Sequence, residues 1–119
     1  MMKRKLILAA LALVITSGVG SAFTIEQSDV IAVASLAQWA GLDDHCPRFK
    51  LIESEMMAEL SATGLSQTDF DSTKMLEERD RAISSVVQNY RENPSSFCNA
   101  AWQKLGLNGT YRRQMLEAK

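Results

Sequence analysis

The chain has 119 residues, with thirteen basic and fourteen acidic side chains and one histidine. That length bounds it to one domain. The slightly acidic balance excludes general nucleic-acid binding, which needs a basic surface.

Residues 1–22 read as a secretory signal. Lys3, Arg4 and Lys5 form a charged start, Leu6 to Ile15 is an unbroken apolar run, and Gly20-Ser21-Ala22 places small residues before a cut ahead of Phe23. Cleavage after Ala22 and a periplasmic location are expected. The alternative is an uncleaved inner-membrane anchor, because the run approaches the roughly 17–25 residues that span a bilayer. Loss of the leader leaves 97 residues, ten basic against fourteen acidic, and a net charge of about −4. No later stretch is apolar and long enough to span a membrane, so a soluble body is expected after cleavage.

The remaining pattern predicts an all-α bundle of four to five helices with one disulfide. The first helix covers 24–41, with Thr24 and Gln27 spaced as a capping box and Gly41 placed at its end. It is apolar on nearly every face, which suits burial on several sides. The other reading makes it a docking helix, presenting Val30, Ile31, Leu36, Trp39 and Leu42 to a partner.

The second helix is expected over 47–63. Pro47 suits a first helical position, and Phe49, Ile52, Met56 and Leu60 draw one apolar stripe. Gly64 ends it, with Leu65 folding back as the apolar contact of the cap. Ser66 and Asp69 open the third helix as a second capping box. It is expected to run to residue 92, with a weak point at Asp71-Ser72-Thr73 and an inner face of Phe70, Leu76, Ile83, Val87 and Tyr90, with Met75, Ala82 and Val86 beside it. Asn93-Pro94 stops it. The fourth helix covers 94–105, turning Phe97, Ala101, Trp102 and Leu105 inward, and ends at Gly106. A short last helix is expected over 110–118. No alternating strand pattern is visible.

Cys46 and Cys98 are the only cysteines, and export places them where disulfides persist. A bridge between them closes a loop of about 50 residues, which the chain-entropy model values at roughly 4 kcal/mol. The redox alternative lacks a Cys-x-x-Cys motif. Asp43, Asp44, His45 and Cys46 are ligand-type residues in one run. Adjacent residues rarely all turn toward one ion, and a bridged Cys46 cannot ligate, so no metal and no cofactor are expected. A catalytic turn at His45 and Asp44 is the enzymatic alternative, without a nucleophile motif to support it. The run 74–81 offers Lys74–Glu78 and Glu77–Arg81 at helical spacing, which describes a self-paired solvated face. Arg112 and Arg113 are expected near a helix C-terminus, which cations stabilise.

The frame Cys46-x-x-Phe49, a long helical stretch, then Pro94-x-x-Phe97-Cys98-x-x-Ala101 before Leu105-Gly106 resembles small single-disulfide helical periplasmic proteins of Gram-negative bacteria. In layout it is also similar to acid-stress periplasmic chaperones of the HdeA type. That resemblance implies a bridge at Cys46 and Cys98, a homodimer as one arrangement left open, and apolar surface released in acid. The expected function is that of an exported, non-enzymatic binding or accessory protein of the envelope, acting on an envelope protein through protein contacts. An acid-responsive holdase for unfolded clients is the alternative.

Overall fold

A computed structural model describes residues 23–119. The leader, its cleavage after Ala22 and the anchored alternative lie outside the described residues. The fold is mostly helical, with one disulfide and one short two-stranded sheet.

Helix α1 spans Ile25–Ala37. The Thr24 hydroxyl accepts from the Gln27 amide at 3.0 Å, and the Gln27 side-chain oxygen accepts from the Thr24 amide at 3.1 Å. Both sides of the expected capping box are therefore made. The Gln27 side-chain amide also donates to the Thr63 carbonyl at 3.0 Å, tying the start of α1 to the end of the next helix. The all-round apolar sequence of α1 has a plain cause: the helix is central and packs against three others. It buries Val30, Ile31, Ala34, Ser35 and Ala37.

The chain does not stop at Gly41. It adds a π-helical turn over Gln38–Leu42, in which the Asp43 amide reaches the Gln38 carbonyl at 3.2 Å. Gly41 matters for space rather than for a left-handed end. A Cβ there would lie 2.6 Å from the Leu51 amide nitrogen and 3.0 Å from the Lys50 carbonyl carbon.

The second helix begins later than the proline suggested. Strand β1, Phe49–Leu51, comes first, and α2 follows over Glu53–Ala62. Strand β1 pairs antiparallel with β2, Leu116–Ala118, in the register Phe49↔Ala118, Lys50↔Glu117 and Leu51↔Leu116. The Ile52 amide donates to the Met115 carbonyl at 2.8 Å, and the Lys119 amide to the Arg48 carbonyl at 3.2 Å, lengthening the ladder at both ends. The expected absence of strands and the expected helix over 110–118 are thus both corrected. The C-terminal segment runs back along the end of α5 instead of coiling. Its Thr110, Tyr111 and Met115 amides donate to the Gln103, Lys104 and Leu105 carbonyls. Those are the carbonyls that a helix end leaves without internal partners. Met115 and Leu116 become fully buried by this route.

Gly64 takes φ 91°, and Leu65 folds back to 5 % exposure, as the cap required. The expected long third helix is two helices, α3 over Gln67–Phe70 and α4 over Thr73–Glu92. The break falls at the weak point, because the Ser72 hydroxyl accepts from the Met75 amide at 3.1 Å and starts a new helix. The buried stripe of α4 is also displaced. Met75 and Val86 are buried, Ala82 and Tyr90 half-buried, and Leu76 is 49 % exposed. This stripe, 75-79-82-86-90, carries Arg79 on its inner side. Helix α5, Pro94–Leu105, starts with the Asn93 side-chain oxygen accepting from the Ser96 amide at 3.1 Å, and turns Phe97, Ala101 and Leu105 into the core.

Candidate functional site

Two features outside the disulfide organise the surface chemistry: a groove between α1, α2 and α4, and an ionic cluster under the C-terminal segment. The groove encloses about 530 Å³, within the range of ligand clefts. Ile31 from α1, Met56, Met57 and Leu60 from α2, Phe70 from α3 and Met75 from α4 make its apolar lining. Methionine is unbranched and polarizable, so such a wall reshapes itself around differing apolar contours.

Arg79 closes one side of the groove. One of its terminal nitrogens donates to the Gln38 side-chain oxygen at 2.9 Å. Its Nε is buried without any acceptor. No carboxylate pairs with it among the described residues. A half-buried guanidinium normally finds a carboxylate, because desolvating it otherwise costs energy. Glu53 and Asp71 also border the groove, are exposed, and form no ion pair among the described residues.

The ionic cluster centres on Glu59, whose side chain is 3 % exposed. The Tyr111 hydroxyl donates to its Oε2 at 2.6 Å, and Arg113 Nε donates to its Oε1 at 3.0 Å. Arg112 also pairs with Oε2, and Arg113 reaches on to Glu55 at 2.9 Å. Burial pushes the Glu59 carboxyl up, but the bonds from Tyr111 and Arg113 and the charges of Arg112 and Arg113 outweigh it. The net result holds Glu59 below the usual carboxylate range. Burial, then the bond to charged Glu59, pushes Tyr111 up to about 12. Arg112 and Arg113 therefore do not sit at a helix end as expected. They clamp a buried acid more than fifty positions away.

Cys46 and Cys98 are joined, with S–S 2.01 Å and Cα atoms 5.7 Å apart. His45 stacks on Trp39 with ring centroids 3.6 Å apart and planes within 4°. A ring nitrogen of His45 lies 2.8 Å from the Trp39 carbonyl. Tyr90 meets both rings edge-on. Asp44, at φ 64°, pairs with Lys119 rather than with His45.

The five residues expected to form a docking face do not share one. Val30 and Ile31 are each 1 % exposed and belong to the core, because α1 is enclosed by its neighbours. Leu36 and Trp39 are half-buried against that core, and Leu42 is 51 % exposed. Of the five, only Ile31 borders the groove. The charged run on α4 forms Glu78–Arg81 in place of the two expected pairs.

Sequence reasoning missed Arg79 and Glu59. Arg79 lies four residues after Met75 and seven before Val86, which was a readable signal that it points inward. Glu59 lies next to the Met56–Leu60 stripe, but its partners are non-local and left no local trace. Neither a protein-family model, nor a curated protein, nor a solved structure matches the chain.

Proposed function

We propose that the chain is an exported, non-enzymatic binding protein of the bacterial envelope, acting periplasmically after loss of its leader. It receives an apolar segment of a partner protein in the groove between α1, α2 and α4. The observation that carries this reading is the groove itself, which leaves Met57 and Phe70 half-buried beside the buried Met56 and Met75. The disulfide suits an oxidising compartment. The one histidine is engaged in ring stacking and its neighbouring acid in an ion pair, which favours a packing role over catalysis.

Met57→Asp tests the reading, with Leu76→Asp, exposed on α4 and outside the groove lining, as the control. Partner capture from an envelope extract should be lost in the first and kept in the second, both variants keeping their near-ultraviolet circular dichroism. Equal capture by both folded variants contradicts the groove.

A second reading, an acid-responsive holdase, rests on the Glu59 cluster. Protonating Glu59 removes the charge that ties Tyr111, Arg112 and Arg113 to α2. The segment so released holds Met115 and Leu116 in the core. Suppression of client aggregation in acid but not at neutral pH supports this reading, and its absence ends it.

A further inference from the structure

The groove is not uniformly apolar, and its charges are unevenly answered. Arg79 Nε is buried without an acceptor, and among the described residues the guanidinium's only polar partner is the neutral amide of Gln38. A half-buried guanidinium held only by a neutral amide gains a charge-assisted bond when a carboxylate enters the groove. Glu53, in the first turn of α2, and Asp71, at the end of α3, stand at the same groove and pair with no cation among the described residues. A simple fatty-acid-type anion would answer Arg79 and meet two carboxylates besides. A peptide offers apolar side chains and both signs of charge on one backbone.

Resting on the reading of the groove as a partner site, we propose that its occupant is a peptide segment with an apolar run and an acidic residue that pairs with Arg79. Basic residues flanking that run meet Glu53 and Asp71. The acid supplies the carboxylate that the Arg79 guanidinium lacks among the described residues, and a charge-assisted bond in a part-buried site is among the stronger single contacts a groove can make. The apolar run lies along Met56, Met57 and Phe70, whose flexible walls set no narrow sequence. Selectivity therefore comes from the charge pattern more than from the apolar residues.

A random peptide library displayed on phage and panned against the intact, disulfide-bonded protein tests this. Selected peptides should pair an apolar run with an acidic residue. A selected peptide should bind Arg79→Gln and Arg79→Glu at least roughly tenfold more weakly than the parent. Exchanging its acid for lysine should restore binding to Arg79→Glu and weaken binding to the parent. That rescue reads charge pairing and cannot come from a misfolded variant. Peptides selected without acidic enrichment, yet lost in Met57→Asp, overturn the charge proposal while leaving the groove as a partner site. Peptides insensitive to both substitutions overturn the groove reading as well. Displacement by dodecanoate, with no acidic preference among peptides, assigns the groove to an amphiphile and overturns the proposal.

Discussion

Glu59 is the residue that holds the C-terminal segment at Tyr111, Arg112 and Arg113. It is 2 % exposed, and its two oxygens are answered by a phenol and two guanidinium groups from one short segment. Buried pairs of this kind are not strongly stabilising against an apolar replacement, but removing one partner leaves stranded charge. Because the folded state holds Glu59 below its ordinary value, the carboxylate contributes stability that is fully present above about pH 4. That contribution is lost as pH falls through the lowered value. Glu59→Gln should therefore be less stable at neutral pH and show a flatter fall of Tm with acid than the parent. Thermal unfolding followed between neutral pH and pH 2 checks this; parallel curves would remove Glu59 from the acid response. Thr24, Ser66 and Asn93 stand at the other extreme. Each caps a helix through a side chain bonding three residues away, so Thr24 and Ser66 were legible as caps, while Asn93 was legible as a boundary through Pro94.

At the scale of elements, what was readable and what was not divides by where the hydrogen bonds go. Helices α1, α4 and α5 satisfy their backbone internally, and their apolar stripes and caps are written within each segment. Strands β1 and β2 are three residues long and meet across more than sixty positions, too short to show alternation and without a turn to announce pairing. Phe49, Ile52, Met56 and Leu60 fit a helical stripe by spacing, yet Phe49 reaches the core from a strand. The C-terminal segment takes its amide partners from the end of α5, a choice that its own sequence does not display. The meeting of the π-helical turn after α1 with the sheet depends on Gly41, whose missing side chain lets the Leu51 backbone approach. Gly41→Ala sets a methyl group against backbone atoms that cannot rotate away. It should destabilise by about 1–3 kcal/mol, as overpacked cores do. A urea midpoint equal to that of the parent would show that the sheet yields at no cost.

Over the described residues the molecule is a central helix packed against three others, joined by a disulfide and a small sheet and carrying a methionine-lined groove between α1, α2 and α4. Cys46–Cys98 spans 52 positions and joins the loop after α1 to α5. Its constraint on the unfolded chain, about 4 kcal/mol by the entropy argument, is a large part of what a domain this size has in hand. The bridge was legible because only two cysteines were there to pair. The groove was not, since it arises from three helices meeting around Arg79, a residue that reads as an interruption of the stripe on α4. The proposed function stands on that groove. Methyl NMR of the protein labelled at its methionine methyl groups, titrated with a peptide selected by panning, tests it most directly. The Met56, Met57 and Met75 signals should shift together and saturate, while Met115, buried beneath the C-terminal segment, stays in place. Shifts confined to Met115, or binding that moves none of the three groove methionines, would contradict it.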